Sequence, residues 1–82
     1  MHKFKTTGTC AIEISYEVKD NRVYNVGFVR GCNGNLKGIS SLVEGMDIDE
    51  IINRLDGIKC GQKSTSCPEQ LAKALISYKE SL

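Results

Sequence analysis

Residues 10–30 read CAIEISYEVKDNRVYNVGFVR, and the hydrophobic pattern of this stretch decides the fold. From position 10 to position 18, apolar residues alternate with small, polar or charged ones, which is typical of a strand with one buried face. Asp20-Asn21 predicts a two-residue turn because both residue types tolerate a positive φ. A returning strand is expected over 22–30, with Tyr24, Val26 and Phe28 on one face. The sequence therefore predicts a β-hairpin centred on Asp20-Asn21.

Three helices are predicted after this hairpin, because the spacing of apolar residues changes from two to three and four. The first begins at Asn33 or Asn35, the second at Asp47 and the third at Ser66, each with a side chain that can cap a helix. With a short edge strand over 3–7, the order is β-β-α-α-α. We expect a single α+β domain over residues 1–82, in which three helices cover one face of a small antiparallel sheet of two or three strands.

Charge and hydropathy exclude several classes of function. Eleven basic and ten acidic residues give a formal net charge of +1, which argues against nucleic acid as the ligand. No apolar run approaches the roughly 20 residues that a membrane-spanning helix needs. The N-terminus lacks the apolar segment of a secretory signal. We therefore expect a cytoplasmic protein, without a membrane partner, that is a monomer or a weak homodimer.

The four cysteines are Cys10, Cys32, Cys60 and Cys67. In a reducing compartment such a number indicates metal or redox chemistry, and the expected cofactor is a metal such as zinc or iron, or else none. Buried structural thiols and two disulfides are the alternatives. If paired positions of the hairpin sum to 41 throughout, Cys10 lies opposite Gly31 and comes close to Cys32.

Cys67 is expected in the first turn of the third helix. Free backbone N–H groups and the helix dipole stabilise a thiolate there, and Lys63 adds a positive charge. We therefore predict that Cys67 is the most reactive of the four thiols. Support for the metal site is expected from Gly31, Asn33, Lys63 and Ser66.

The segment 63–72, KSTSCPEQLA, resembles the motif that gives the TSCPD domain family its name, with Glu69 in place of the aspartate. The segments 31–36, GCNGNL, and 55–61, LDGIKCG, resemble other signature segments of that family. The resemblance covers nearly the whole chain, as expected for the stand-alone form of the domain. The family includes domains at the C-terminus of cobalamin-dependent ribonucleotide reductases. The resemblance thus implies a link to ribonucleoside-diphosphate reductase, nucleotide binding and DNA precursor synthesis, with a reductase as partner.

A second resemblance, in layout, is to the U-type iron–sulfur cluster scaffold proteins. In those proteins a β-meander ends in Gly-Cys, a serine-rich helix follows, and a cysteine begins the last helix. The corresponding positions here are Gly31-Cys32, Ser40-Ser41 and Cys67. This resemblance implies a scaffold-like fold and a site of three or four thiolates.

The function expected from these observations is that of a small metal-binding or redox-accessory module. The alternatives are a protein-interaction domain without chemistry and a scaffold-like protein that carries zinc or an iron–sulfur cluster. No catalytic residue is predicted, because the chain offers no evident general base beside a nucleophile.

Overall fold

A computed structural model describes residues 2–6, 12–30, 33–58 and 65–81. The strands are β1 (His2–Lys5), β2 (Glu13–Lys19), β3 (Arg22–Val29) and β4 (Met46–Asp47), and the helices are α1 (Asn33–Val43), α2 (Ile48–Leu55) and α3 (Cys67–Glu80). The predicted α+β class is confirmed.

The sheet is antiparallel with the strand order β1-β2-β3-β4. It has four strands in the described part of the chain, where the sequence predicted two or three. The additional strand, β4, pairs with Arg22 and Val23 at the beginning of β3. Gly45 makes this pairing possible, because its φ of 75° turns the chain after α1 and its N–H donates to the Val23 carbonyl at 2.7 Å.

The β2–β3 hairpin turns at Asp20-Asn21 as predicted, with both residues at positive φ. Next to the turn the paired positions sum to 41, as in Glu17↔Tyr24. Farther from the turn they sum to 42, as in Ile14↔Phe28, because a β-bulge at Asn25 adds one residue to β3. The prediction of one uniform register is therefore wrong beyond this bulge.

The same bulge changes which side chains of β3 face the helices. Val23 and Val26 are buried and Phe28 packs against the core, whereas Tyr24, which the sequence predicted on that face, is outside the core. The alternation in β2 holds at Ile14 and Tyr16, which are both buried.

The predicted caps of α2 and α3 are confirmed, and the cap of α1 falls outside the described residues. The Asp47 carboxylate accepts from the N–H groups of Asp49 and Glu50 at the start of α2. The Ser66 hydroxyl accepts from the Glu69 N–H at 3.2 Å at the start of α3. These caps satisfy N–H groups that have no partner within the helix.

One hydrophobic core joins the sheet to all three helices. Its fully buried large side chains are Val23, Ile14, Ile48, Ile51, Leu71 and Leu75. These six residues belong to the sheet, α2 and α3, and Val43 joins α1 to the same core, so the helices cover one face of the sheet. No helix in the described ranges is long and apolar enough to cross a membrane.

Candidate metal centre at the open end of the fold

The two ends of the molecule differ. At the turn end, where the β2–β3 hairpin turns, the Asn21 carbonyl accepts from the Ile48 N–H at 3.0 Å. The Asn21 side-chain amide donates to the Asp47 carboxylate at 2.9 Å. We call the opposite end, where β2 begins and β3 ends, the open end. There the Ile12 N–H donates to the Val29 carbonyl at 2.9 Å. The beginning of α1 also lies at the open end, because Asn33 follows the end of β3 by four residues. The helix leads from there to β4, which pairs with the beginning of β3 near the turn end.

The orientation of α3 brings Cys67 to the open end. Lys79, near the C-terminal end of this helix, forms an ion pair with Asp49 at the turn end. In the middle of α3, the Ala74 carbonyl accepts from the Tyr16 hydroxyl at 3.5 Å, halfway along β2. Cys67 lies seven residues before Ala74, about 10 Å farther along the helix axis at 1.5 Å per residue. The first turn of α3 therefore points toward the end of the sheet that carries Ile12 and Val29.

Ser66 makes two hydrogen bonds with opposite roles next to Cys67. Its hydroxyl oxygen accepts from the Glu69 N–H as the helix cap, and the same hydroxyl donates to the Ile58 carbonyl at 2.6 Å. The second bond joins the segment after α2 to the beginning of α3. Ser66 is 4% exposed, so water has little access to this bond. The sequence predicted Ser66 as a supporting residue through the cap alone.

Further polar side chains are buried around the same helix start. Thr65, Glu69 and Gln70 are each 3–4% exposed, which is unusual for residues of these types. The Gln70 amide donates to the Thr65 hydroxyl at 3.1 Å. The Glu69 carboxylate lies 3.9 Å from the ammonium group of Lys73, one turn along α3. Sequence analysis did not single out Thr65 and Gln70 as site residues, although both belong to the motif at 63–72.

Cys67 itself carries a free thiol and is partly buried. The Glu69 N–H is taken by the Ser66 hydroxyl and the Gln70 N–H by the Ser66 carbonyl, so the first turn of α3 is held in place around the thiol. A partly exposed sulfur on a rigid helix start is suited to bind a soft metal ion or to act in thiol chemistry.

The other predicted site residues lie outside the described residues: Cys10, Gly31, Cys32, Cys60 and Lys63. Asn33 begins α1 as one of the two predicted starts, but its side chain is not described. The described residues nearest in sequence to Cys10, Cys32 and Cys60 lie at the open end together with Cys67; they are Ile12, Arg30, Asn33 and Ile58. Over 2–6, 12–30, 33–58 and 65–81, no three His, Cys, Asp or Glu side chains come together as a metal site.

Comparison with known proteins gives one match. The profile of the TSCPD domain matches residues 2–79 of the 82-residue chain. Neither the curated proteins nor the solved structures contain a significant match.

Proposed function

The chain belongs to the TSCPD domain family, and we propose that it is a metal-binding module whose ligands are Cys10, Cys32, Cys60 and Cys67. The observation that carries this proposal is the arrangement of the chain at the open end. Cys10 precedes Ile12 by two positions, Cys32 follows Arg30 by two, Cys60 follows Ile58 by two, and Cys67 begins α3. Two residues of chain span at most about 7 Å. Four thiolates tethered so closely to one end of a small fold can reach a common metal centre.

The donor set indicates the class of metal. Thiolates are soft ligands that favour zinc and iron–sulfur clusters over magnesium or calcium. Four cysteines without a histidine fit a tetrahedral zinc site with four thiolate ligands, or an iron–sulfur cluster that is bound by four thiolates. Zinc would cross-link the segments at the open end, and a cluster would supply electron transfer. The two hydrogen bonds of the Ser66 hydroxyl, to the Glu69 N–H and the Ile58 carbonyl, would orient Cys67 as one of the ligands.

Metal analysis of the isolated protein tests the proposal. The protein is purified without a metal-affinity tag, and bound zinc and iron are quantified together with the visible absorbance of a cluster. We expect close to one zinc ion or one cluster for each chain. Cys10→Ser, Cys32→Ser, Cys60→Ser and Cys67→Ser should each lower this content, whereas Ser77→Ala on the exposed side of α3 should not. No bound metal, with four freely alkylated thiols in the native protein, would instead favour a protein-interaction domain.

We further infer that the partner of this module is a ribonucleotide reductase and that both work in the cytoplasm, where thiols stay reduced. Support for this inference comes from the members of the family that are appended to cobalamin-dependent reductases. The chain would then serve nucleotide reduction and DNA precursor synthesis as an accessory rather than as a catalyst. Sedimentation of the purified chain with a reductase from the same cell tests it. Co-migration is expected for the metal-loaded protein, and independent migration at micromolar concentrations would contradict the inference.

A further inference from the structure

A groove runs between β3 and α1 on the described surface. Its volume is about 290 Å³, and its walls are formed by Val26, Gly27, Phe28, Arg30, Leu36, Lys37 and Ser40. The groove exists because β4 pairs only with the first two residues of β3. Beyond Tyr24, no described strand lies on that side of β3, and α1 faces the strand instead.

One basic residue lines this groove from each side. Arg30 lies on the β3 side and Lys37 on the α1 side, and no acidic residue among those described lines the space between them. Neither cation forms an ion pair within the described ranges, whereas Arg54, Lys73 and Lys79 all do. Two basic residues that line one cavity and have no ion pair among the described residues favour the binding of an anion with two negative charges.

Arg30 also has an unusual backbone conformation, with a φ of 64°. The other described residues at positive φ are glycine, asparagine or aspartate, which tolerate this region. Arginine is sterically disfavoured there, because its Cβ comes too close to the backbone. A residue kept in an unfavourable conformation where glycine would be better is a sign that its side chain is needed. The β3 wall of the groove therefore points to a functional arginine.

The floor of the groove is apolar. Val26 and Leu36 are 8% and 7% exposed, and Phe28 packs against the core. The Ser40 hydroxyl is already engaged, because it donates to the Leu36 carbonyl at 2.9 Å. Arg30 and Lys37 are therefore the residues that would bind a negative charge. The apolar side chains of the groove suit a flat or apolar part of the ligand.

We propose that this groove binds a small organic phosphate. The phosphate group lies between Arg30, which can bind it through two parallel N–H groups, and Lys37, which acts as a point charge. The organic part of the ligand covers Val26 and Leu36. None of the described residues that line the groove is a cysteine, so the phosphate is held by cationic side chains and not by the thiols of the proposed metal centre.

Titration of the full-length, ¹⁵N-labelled protein with phenyl phosphate at constant ionic strength tests the proposal. We expect saturable amide shifts at Phe28, Arg30, Lys37 and Ser40, and weaker binding of inorganic phosphate, which lacks the apolar group. Lys37→Gln should weaken the binding of phenyl phosphate about tenfold, the effect of losing one bond to a charged group. Lys3→Gln, which removes the same charge from exposed β1, should leave it unchanged.

Arg30→Gly separates recognition from folding. Glycine fits the positive φ at this position, so the melting temperature should stay the same or rise. Binding of phenyl phosphate should nevertheless fall by about tenfold or more. Three results would overturn the proposal: undiminished binding by this variant, equal losses in Lys3→Gln and Lys37→Gln, or shifts that never saturate. Equal affinity for inorganic and phenyl phosphate would overturn the assignment of the apolar floor.

Discussion

Removal of the Ser66 hydroxyl tests how the beginning of α3 is held. Ser66→Ala loses the cap, worth about 1 kcal/mol, and the bond to the Ile58 carbonyl, worth about 1 kcal/mol more. For a domain of this size, each kcal/mol lowers the melting temperature by about 4–8 °C. We therefore expect a decrease of roughly 8–16 °C for Ser66→Ala. Ser66→Asp keeps an acceptor for the cap but cannot donate to Ile58 and places a charge at a buried position, so it should also lower the melting temperature.

The melting temperatures of both variants are measured by thermal unfolding followed by circular dichroism, with a reductant and a chelator present. Ser77→Ala is the matched control, because it makes the same chemical change at an exposed position of α3. A decrease for Ser66→Ala no larger than for Ser77→Ala would refute the double role of Ser66. A Ser66→Asp protein as stable as the wild type would refute the contribution of the Ile58 bond. Under the proposed function, competition with a zinc chelator should show about fivefold weaker zinc binding for Ser66→Asp.

Three further predictions concern the core, the bulge and the dependence of stability on pH. Leu75→Ala should lower the free energy of unfolding by about 2–5 kcal/mol in urea titrations, because Leu75 is fully buried. Leu42→Ala, at a side chain 76% exposed, should leave it almost unchanged; equal losses would mean that the core is wrongly assigned. Asn25→Val should cost about 1–2 kcal/mol at a φ of 54°, whereas Asn25→Gly should cost nothing, and equal stability of the two variants would contradict the bulge. The hydrogen bond from Asn21 lowers the pKa of Asp47 below its ordinary value of 3.8. The ionised Asp47 carboxylate therefore stabilises the folded state above pH 3.8, and this contribution is lost as the pH falls through the lower pKa of the folded state. Asp47→Asn should accordingly flatten the acid limb of a plot of stability against pH. An unchanged acid limb would show that the carboxylate does not contribute.

The main elements of the fold could be predicted because their signals are local. The alternation around Ile14 and Tyr16 and the turn at Asp20-Asn21 determine the hairpin. Asp47 and Ser66 were recognised as caps because each precedes an amphipathic stretch by the spacing that caps require.

The bulge and β4 were missed because they depend on contacts between distant segments. The N–H of Asn25 donates to the Glu44 side chain at 2.8 Å, an interaction that no local pattern reveals. The spacing of Val23, Val26 and Phe28, three and then two, was nevertheless a signal for an inserted residue. A two-residue strand such as β4 is too short to show any periodicity.

The candidate site could be predicted only in part. The beginning of α3 at Cys67 followed from the cap, but the bond from Ser66 to Ile58 joins two elements and has no sequence pattern. The burial of Thr65 and Gln70 also depends on how α3 packs in the tertiary structure.

The position of the chain ends has a consequence for how this domain can be joined to others. The His2 ring lies 4.8 Å from the Tyr78 ring, and β1 enters the sheet from the side of the turn end. Polypeptide attached before β1 or after α3 therefore leaves the domain away from the open end. A fusion partner at either terminus would therefore leave the end of the fold that carries Cys67 accessible.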